Sequence, residues 1–565
     1  MRFQNWNISG FNRDTAVGFY RSGFNPLVSV LLSSRGVSSV EDARALIDGD
    51  PSAVYDPFLL ADMDTAVARI NSAVENGERF AIYGDYDVDG MTSCALLAAY
   101  LRSKGADYEI YIPDRLDEGY GLNRSAIQAL KSRGAGLIIT VDCGITAIAE
   151  AAYAKSIGLS LVITDHHECR DILPEADAVV DPKRPGCQYP NKTLAGVGVA
   201  FKLVCALEGD FGSDEIFRRY GDLVAIGTIA DVMPVTGENR ELIRRGMKAL
   251  SDTRRPGLSR LMREAFIDPA KLSTVSVGYS LAPRLNAAGR MSQAGLSVEL
   301  LLTDSDSEAE RLTAELSRLN SERRQLEIEI YEEAEAMMKG ELPDGPIIFA
   351  RRGWYQGVTG IVAAKMAERN LLPAIMISIG DDGIGRGSCR SFGSFGIHGA
   401  LKACEDILIA YGGHEMAAGV TIAERNIDEF RRRVKEYYRE NMGLLPQPGL
   451  RLDFEVEKPE LLTTGNIGAM GSLEPFGSAN PPPALCITGA ALRSAAGVGS
   501  GKHTRFTIEK SGKNLECIWF GTPPENMGVS EGALVDVAFE PQINEFRGRS
   551  TVQLQILDIR NSVGM

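Results

Sequence analysis

Four short segments of the sequence combine aspartates with histidines or glycines. They are GDYDVDG at residues 84–90, VDCG at 141–144, DHHE at 165–168 and GTIADV at 227–232. Aspartate and histidine are ligands that suit Mn²⁺ or Mg²⁺, and the absence of a cysteine pair from these segments disfavours a thiolate zinc site. Crowded carboxylates raise each other's pKa unless a cation lies between them. If the fold brings the segments together, they predict a site for divalent cations.

Each of the four segments, taken alone, has an ordinary structural explanation. An Asp-x-Asp run after a strand is usually a turn or the N-cap of a helix. A pair of histidines is more often structural or solvated than metal-binding, and a lone aspartate such as Asp231 carries no information by itself. Their joint placement favours function, because three of the segments follow directly on predicted strands.

The elements that must position these residues form a repeating pattern. Short β-branched or apolar runs at 79–83, 108–112, 136–141 and 160–164 alternate with helical stretches. This alternation predicts a doubly wound parallel sheet covered on both faces. Ligand sites in such sheets lie beyond the carboxyl ends of the strands, so the acidic segments are expected to converge there.

The chain of 565 residues is too long for one hydrophobic core. A long charged helical pattern and five strand-like runs near the end divide it further. The predicted parts are an N-terminal helical segment at 1–78 packed on the first α/β domain, that domain at 79–303, a connecting helix at 304–340, a second α/β domain at 341–442, a linker at 443–449 and an OB-like β-barrel at 450–565. The expected fold class is therefore α/β multidomain with a C-terminal barrel.

Composition adds weaker constraints. The net charge of −15 argues mildly against a nucleic-acid partner, although a metal-dependent nuclease takes part of its positive charge from solution. Nine cysteines without CxxC pairs are typical of reduced thiols in a cytoplasm. We find no apolar run long enough for a membrane span and no secretory signal, so a cytoplasmic protein without membrane contact is expected.

The four segments resemble the DHH phosphoesterases, a superfamily named after the Asp165-His166-His167 motif, and together they look like its RecJ branch. The resemblance extends over nearly the whole chain. It includes YDP at 55–57, EGYGL at 118–122, LAGVG at 194–198, PRLNAAGR at 283–290, GVTGIV at 357–362, GSCRS at 387–391, GGH at 412–414, PFG at 475–477 and NP at 480–481. Two small departures are Cys389, where the family often has a small residue such as glycine, and Gly396, where it often has aspartate.

The resemblance implies a DHH catalytic domain, a long connecting helix, a DHHA1 substrate-binding domain and an OB-like domain that guides single-stranded DNA. It implies a metal-dependent exonuclease that degrades single-stranded DNA from 5′ to 3′, releases 5′-mononucleotides and acts in recombination and repair. Single-stranded DNA is the expected partner, with a single-strand-binding protein and a helicase as further candidates. In the barrel, Phe506 and Trp519 could stack on bases, although core packing is the more ordinary role.

The resemblance also implies roles for individual residues, with two Mn²⁺ or Mg²⁺ ions as cofactors. Asp87 and Asp89 each bind a different ion, Asp142 bridges the two, and His166 with Asp231 completes the second site.

Two further residues near the ions have implied roles. Asp85 supports the first ion or orients one of its ligands, and His167 contacts the scissile phosphate. The candidates for binding the phosphates of the substrate are Arg115, Arg290, Ser388, Arg390 and His414.

Two alternatives remain open at this point. One is a related phosphodiesterase that hydrolyses oligoribonucleotides, cyclic dinucleotides or other small phosphoesters, but such chains usually lack the barrel and the long N-terminal segment. The other is a non-catalytic DNA-binding scaffold. Relatives of that kind typically lose metal ligands, whereas this sequence keeps all of those proposed.

Overall fold

The computed structural model describes residues 3, 5–115, 118–119, 121–338, 340, 344–442, 449–546 and 548–562. The chain forms two compact units, one of residues 51–445 with 477–479 and one of residues 1–50, 446–476 and 480–565. Most of the predicted linker, residues 443–448, lies outside the described part. Within the described part, no helix is both long and apolar enough to span a membrane.

A five-stranded parallel sheet forms the centre of the first α/β domain. In spatial order its strands are Tyr108–Tyr111, Phe80–Gly84, Leu137–Val141, Ser160–Thr164 and Ala178–Val180. Four of them lie within a residue of the predicted runs. The fifth has only three residues, which is too short for a periodic pattern to reveal.

Helices cover both faces of this sheet, as the alternating pattern predicts. Those before and between the strands are Met63–Glu75, Val88–Ser103, Arg124–Ser132 and Ile148–Ser156. The helical region that follows contains Gly196–Glu208, Asp214–Ala230, Gly237–Ser251, Pro256–Glu264, Thr274–Ser276, the π-helical turn Val277–Leu281, Ala282–Arg290 and Gly295–Leu302. Val88–Ser103 is buried on nearly all sides, which fits a helix that is apolar around most of its circumference.

One long helix, Asp306–Met337, joins this domain to the next. Ser305 caps its first turn by accepting a hydrogen bond from the Glu308 backbone N–H. The helix has 32 residues, and at 1.5 Å per residue it is about 48 Å long. It packs against helices of the first domain and against the first helix of the second domain.

The second α/β domain has a mixed five-stranded sheet. In spatial order its strands are Leu408–Gly413, Ala417–Ala423, Ile384–Arg390, Ala374–Ile379 and Ile347–Arg352, of which only the last two pair in parallel. Its helices are Gln356–Asn370, Ile397–Lys402 and Ile427–Met442. The predicted α/β character of this region is confirmed.

The other unit is built around a closed barrel. Its five long strands are Leu485–Val498, His503–Lys510, Lys513–Trp519, Arg549–Asn561 and Leu534–Phe546, and the last pairs with the first to close the ring. The short strand Phe454–Glu455 and the helix Thr464–Met470 accompany it. Phe506 and Trp519 are 1% and 6% exposed, so both pack in the core rather than presenting their faces to bases.

The N-terminal fifty residues belong to this barrel unit. The strand Asn5–Ile8 pairs in parallel with Gly449–Leu452, and Arg35 forms an ion pair of 2.9 Å with Asp453. The helices of this segment are Arg13–Arg21, Pro26–Ser34 and Val40–Asp48, and their apolar residues enter the same core as the barrel strands. The prediction that residues 1–78 form one segment on the first α/β domain is therefore wrong for residues 1–50, because periodicity shows an apolar helix face but not its packing partner.

Candidate metal centre and substrate pocket

The first three acidic segments lie at one edge of the parallel sheet. Asp85, Asp142 and Asp165 each come directly after a strand, and these three strands are neighbours in the sheet. The register aligns Gly84 with Val141 and Val141 with Thr164, so the residues that follow these positions start at the same level. Parallel pairing therefore brings together side chains that are far apart in sequence.

Two sets of three possible ligands lie at this edge. Asp85, Asp87 and Asp142 form one set, and Asp89, His166 and Asp231 form the other, with the ligand atoms of each set within 4.8 Å of one another. Asp142 also forms such a set with His166 and His167. Asp142 thus lies between the two sets.

Local backbone geometry aims the carboxylates of Asp87 and Asp142. Asp87 is the N-cap of the helix Val88–Ser103 and accepts a hydrogen bond of 3.0 Å from the Gly90 N–H. The Asp-x-Asp run is therefore also a helix N-cap, as such runs usually are. Asp142 has a left-handed backbone with φ of 61°. A Cβ atom on Gly196 would lie only 2.4 Å from a carboxylate oxygen of Asp142, so a glycine is required there.

The second set is held by the turn that precedes the helix Gly196–Glu208. The backbone N–H groups of Gly196 and Val197 donate to the two oxygens of Asp89, at 2.7 and 2.8 Å. His166 Nδ1 lies 2.9 Å from the Leu194 carbonyl oxygen, which can only accept, so Nδ1 is the donor. The lone pair on Nε2 is then available, and Nε2 lies 3.2 Å from Asp142 and 3.6 Å from Asp231.

His167 is paired with a buried carboxylate. Its Nδ1 lies 2.7 Å from Asp165, whose carboxylate also accepts hydrogen bonds from the backbone of Ile145 and His166. Burial raises the pKa of Asp165, but the hydrogen bond and charge of His167 outweigh it and leave that pKa below its usual value. Burial lowers the pKa of His167, but Asp165 outweighs it and raises the pKa to about 9. In the metal-free protein, His167 is therefore protonated at neutral pH.

Four carboxyls of the two sets, those of Asp85, Asp89, Asp142 and Asp231, have raised pKa values. Burial first, and repulsion between neighbouring aspartates second, raise the pKa of Asp89 to about 7 and that of Asp231 to about 8. The same two causes raise the pKa of Asp85 and Asp142 well above the usual value. Oδ1 of Asp85 and Oδ2 of Asp231 are buried and accept no hydrogen bond from any described residue. Buried carboxylate oxygens and one imidazole nitrogen are a donor set that fits Mn²⁺ or Mg²⁺.

A cluster of guanidinium groups lies within electrostatic reach of the acidic edge. Burial first, and then the charges of Arg115, Arg323 and Arg390, lower the pKa of Arg290 to about 9, while Asp87 acts in the opposite direction. Arg290 ends the helix Ala282–Arg290 and donates to the Gly357 carbonyl of the second domain at 3.3 Å. Arg115 lies over the ring of Tyr86, 5.0 Å from its centroid. Several guanidinium groups that lower one another's pKa in this way form a region of positive charge.

The second domain contributes Ser388 and Arg390 to this region. Both lie on the strand Ile384–Arg390, two residues apart, and a Cβ atom on Gly360 would lie 3.4 Å from the Ser388 hydroxyl and 3.3 Å from the Arg390 guanidinium. Glycine at position 360 thus leaves room beside both groups. His414 lies on the exposed turn after Gly413, and among the described residues no hydrogen bond or ion pair joins its side chain to the guanidinium cluster.

Comparison with known proteins places these features in a family. Models described as "DHH family, N-terminal domain", "DHHA1 domain" and "RecJ OB domain" match residues 79–228, 344–440 and 452–558. The chain is 41% identical over 539 residues to the single-stranded-DNA-specific exonuclease RecJ of Bacillus subtilis, covering 94% of this chain and 68% of that protein. It is 35% identical over 574 residues to the protein of the same name in Salmonella typhimurium, covering 94% and 96%. The chain belongs to the RecJ family.

The structural comparison agrees with RecJ membership. The crystal structure of RecJ in complex with Mn²⁺ from Thermus thermophilus superimposes with a TM-score of 0.84 and 28% sequence identity, and the match covers 99% of this chain and 80% of that one. The predicted fold class, with a DHH domain, a DHHA1 domain and an OB-like barrel, is confirmed.

Two buried charged residues in electrostatic reach of these groups were not singled out from the sequence. Arg323 lies on the connecting helix, is 7% exposed and contacts Glu327 at 2.7 Å, yet its sequence context matches that of a solvated helical ion pair. Asp181 follows the fifth strand and is fully buried, and burial with the charge of Asp165 raises its pKa to about 7. The sequence feature that could have identified Asp181 is its position directly after a short apolar run and directly before a proline.

Proposed function

We propose that this RecJ family member hydrolyses single-stranded DNA from the 5′ end, releases 5′-mononucleotides and acts in DNA recombination and repair. The observation that carries the proposal is the position of Asp142 between two sets of possible metal ligands, with a guanidinium cluster in electrostatic reach. Two adjacent cation sites next to an anion-binding region are what phosphodiester hydrolysis requires.

We assign the ligands of two Mn²⁺ or Mg²⁺ ions from the two sets. Asp85, Asp87 and Asp142 would hold one ion, while Asp89, His166 and Asp231 would hold the other with Asp142 shared. When bound, such a pair lowers the pKa of a water molecule and stabilises both the attacking and the leaving oxygen. The raised pKa values of Asp142 and Asp231 support the assignment, because cations would relieve the repulsion that contributes to them.

His167 serves the scissile phosphate in this proposal. Its positive charge, maintained by Asp165 at 2.7 Å, would stabilise the negative charge that develops on the non-bridging oxygens. Asp165 is therefore a positioning residue that holds the ring and its proton on Nδ1.

Ser388 and Arg390, with Arg115 and Arg290, would bind the end of the strand. A terminal 5′-phosphate carries more negative charge than an internal phosphodiester, so an arginine cluster can distinguish the two. We retain His414 as a substrate contact, since the strand that follows its turn pairs with the strand of Arg390.

Degradation of end-labelled oligonucleotides tests this proposal. With Mn²⁺, a 5′-labelled single strand should release its label as a mononucleotide in the first turnover, whereas a 3′-labelled strand should shorten progressively. A duplex of the same sequence should resist. Faster turnover of a dinucleotide than of the long strand would instead favour the phosphodiesterase of small substrates.

Two finer expectations also belong to this proposal. An exonuclease restricted to single strands depends on proteins that separate and hold those strands, so we propose a helicase and a single-strand-binding protein as partners. We propose a cytoplasmic location, which is supported by nine cysteines that form no disulfide. Stimulation of degradation of a duplex by a helicase, and co-purification with each partner, would test the first expectation.

A further inference from the structure

A buried polar network lies beside the segment that precedes the helix Gly196–Glu208. The Glu238 carboxylate contacts the Lys202 ammonium at 2.6 Å and accepts a hydrogen bond of 3.0 Å from the Tyr55 backbone N–H. It also accepts the one proton of the Tyr189 hydroxyl, whose oxygen lies 2.8 and 2.9 Å from its two oxygens. Lys202 and Tyr189 are 0% exposed and Glu238 is 1% exposed. None of these groups takes part in the proposed chemistry.

Stability alone is a weak reason for such a network. Burying two charges has a large desolvation cost, and apolar residues of similar volume often give equal or higher stability. Buried polar groups can instead fix one arrangement of the chain among several.

Asn239, the residue after Glu238, connects the network to the turn before the helix Gly196–Glu208. Its Nδ2 donates to the Thr193 carbonyl at 2.6 Å, and its Oδ1 accepts from Asn191 at 2.9 Å. Asn191 in turn accepts from the Thr193 backbone at 3.0 Å. Asn239 is 0% exposed. Residues 191–193 are thus held by the amide side chains of Asn239 and Asn191, the first of which is buried.

The same turn carries the groups that orient two proposed ligands. Leu194, next to Thr193, accepts from His166 Nδ1 at 2.9 Å, and Gly196 donates to Asp89 at 2.7 Å. A shift of this turn would therefore move the imidazole and the carboxylate together.

We infer that Asn239 is a positioning residue of the metal centre, acting through the Thr193 carbonyl on His166 and Asp89. The inference rests on the proposed function, since it requires His166 and Asp89 to hold a metal ion. Partners that orient a metal ligand from outside the coordination sphere typically change metal affinity by about 10- to 100-fold.

Binding of Mn²⁺ to the full-length chain, measured by calorimetry, tests the inference. Asn239→Ala should weaken Mn²⁺ binding about tenfold. It should lower kcat at limiting Mn²⁺, with recovery at excess Mn²⁺, and leave KM for a single-stranded oligonucleotide unchanged. If Asn239→Ala does not fold, Asn239→Asp keeps the size of the side chain but removes the donor to Thr193, and it should give the same loss of affinity.

Thr253→Val provides a matched control. The Thr253 hydroxyl donates to the buried carboxylate of Asp222 at 2.7 Å, and Asp222 lies nine residues before Asp231 on the same helix, about 13 Å along its axis. This variant should lower the Tm of the metal-free protein without changing its Mn²⁺ affinity.

Three outcomes separate the possibilities. Wild-type Mn²⁺ affinity in Asn239→Ala would overturn the inference, and so would an equal loss of affinity in Thr253→Val, which would indicate general destabilisation. Asp142→Ala is measured in parallel. If that variant binds Mn²⁺ as the wild type does, the proposed metal centre itself is wrong, whereas if only Asn239→Ala behaves as the wild type, the role of Asn239 alone is wrong.

Discussion

The acidic edge of the parallel sheet and the guanidinium cluster near it are built in opposite ways. Three of the aspartates at the edge follow strands directly, and the backbone fixes their direction, as the left-handed Asp142 and its contact with Gly196 illustrate. The cluster draws Arg115, Arg290 and Arg390 from separate elements of two domains, and its side chains are only partly buried.

This difference indicates a division of labour. A rigid edge suits chemistry, because small displacements of ligands cost much of the rate. A pocket made where two domains meet suits recognition, since it can be altered without disturbing the sheet. Substitutions at the edge should therefore have larger effects than substitutions in the cluster.

Asp142→Ala should have the largest effect, a loss of hydrolysis of at least about 10³-fold, because one change removes the ligand shared by both ions. Affinity for a single-stranded oligonucleotide should be largely retained. Exonuclease rates measure the loss of hydrolysis. Binding of the oligonucleotide under conditions without turnover measures the retained affinity. Near-normal turnover by this variant would contradict the assignment of catalysis to the acidic edge.

His167→Ala should lower kcat by about 10²-fold, because it removes a positive charge from the scissile phosphate. Mn²⁺ affinity should stay close to that of the wild type. His166→Ala is the matched control, since it should lose Mn²⁺ affinity as well. If His167→Ala loses the metal instead, the roles of the two histidines are reversed.

Much of the acidic edge could be predicted from the sequence, and little of the cluster could. Asp85, Asp142 and Asp165 follow apolar runs directly, so strand periodicity and the rule for parallel sheets were enough to bring them together. Asp231 comes from the end of a helix, and only the family resemblance linked it to the edge. Arg323 was missed because burial of a helical ion pair depends on the packing partner, which sequence spacing does not encode. The same limit explains why the packing partner of residues 1–50 was predicted wrongly. The strand Asn5–Ile8 of this segment pairs with a strand more than four hundred residues away.

Arg390→Ala should reduce the preference for 5′-phosphorylated over 5′-hydroxyl ends by about tenfold, the typical effect of one charge-assisted hydrogen bond. Its effect should shrink on strands without that phosphate. Competition between the two kinds of single strand measures the preference. Equal loss on both substrates would show that Arg390 serves the scissile phosphate or the fold.

The last prediction is a pH dependence of stability. The pKa values of Asp89 and Asp231, about 7 and about 8, exceed the value of about 3.9 for an unfolded aspartate, so the folded state binds more protons between these limits. These groups make the metal-free protein less stable as the pH rises from about 4 to 8. Mn²⁺ binds the deprotonated carboxylates, so it should raise the Tm more at pH 8 than at pH 6.

Asp231→Asn is the control for this dependence, because it removes one of the two titrating groups and one ligand. The variant should show a smaller increase in Tm with Mn²⁺ at pH 8. Equal increases in the wild type at pH 6 and pH 8 would mean that these carboxyls do not bind the metal.

In the proposed site, Asp142 joins two ligand sets into one centre for two ions. The most direct measurement is the number of Mn²⁺ ions bound per chain, obtained by calorimetric titration of metal-free wild type and Asp142→Ala at pH 8. We predict two ions on the wild type and tight binding of neither on the variant. A single ion on the wild type, or two ions bound with unchanged affinity by Asp142→Ala, would contradict the proposed role of Asp142.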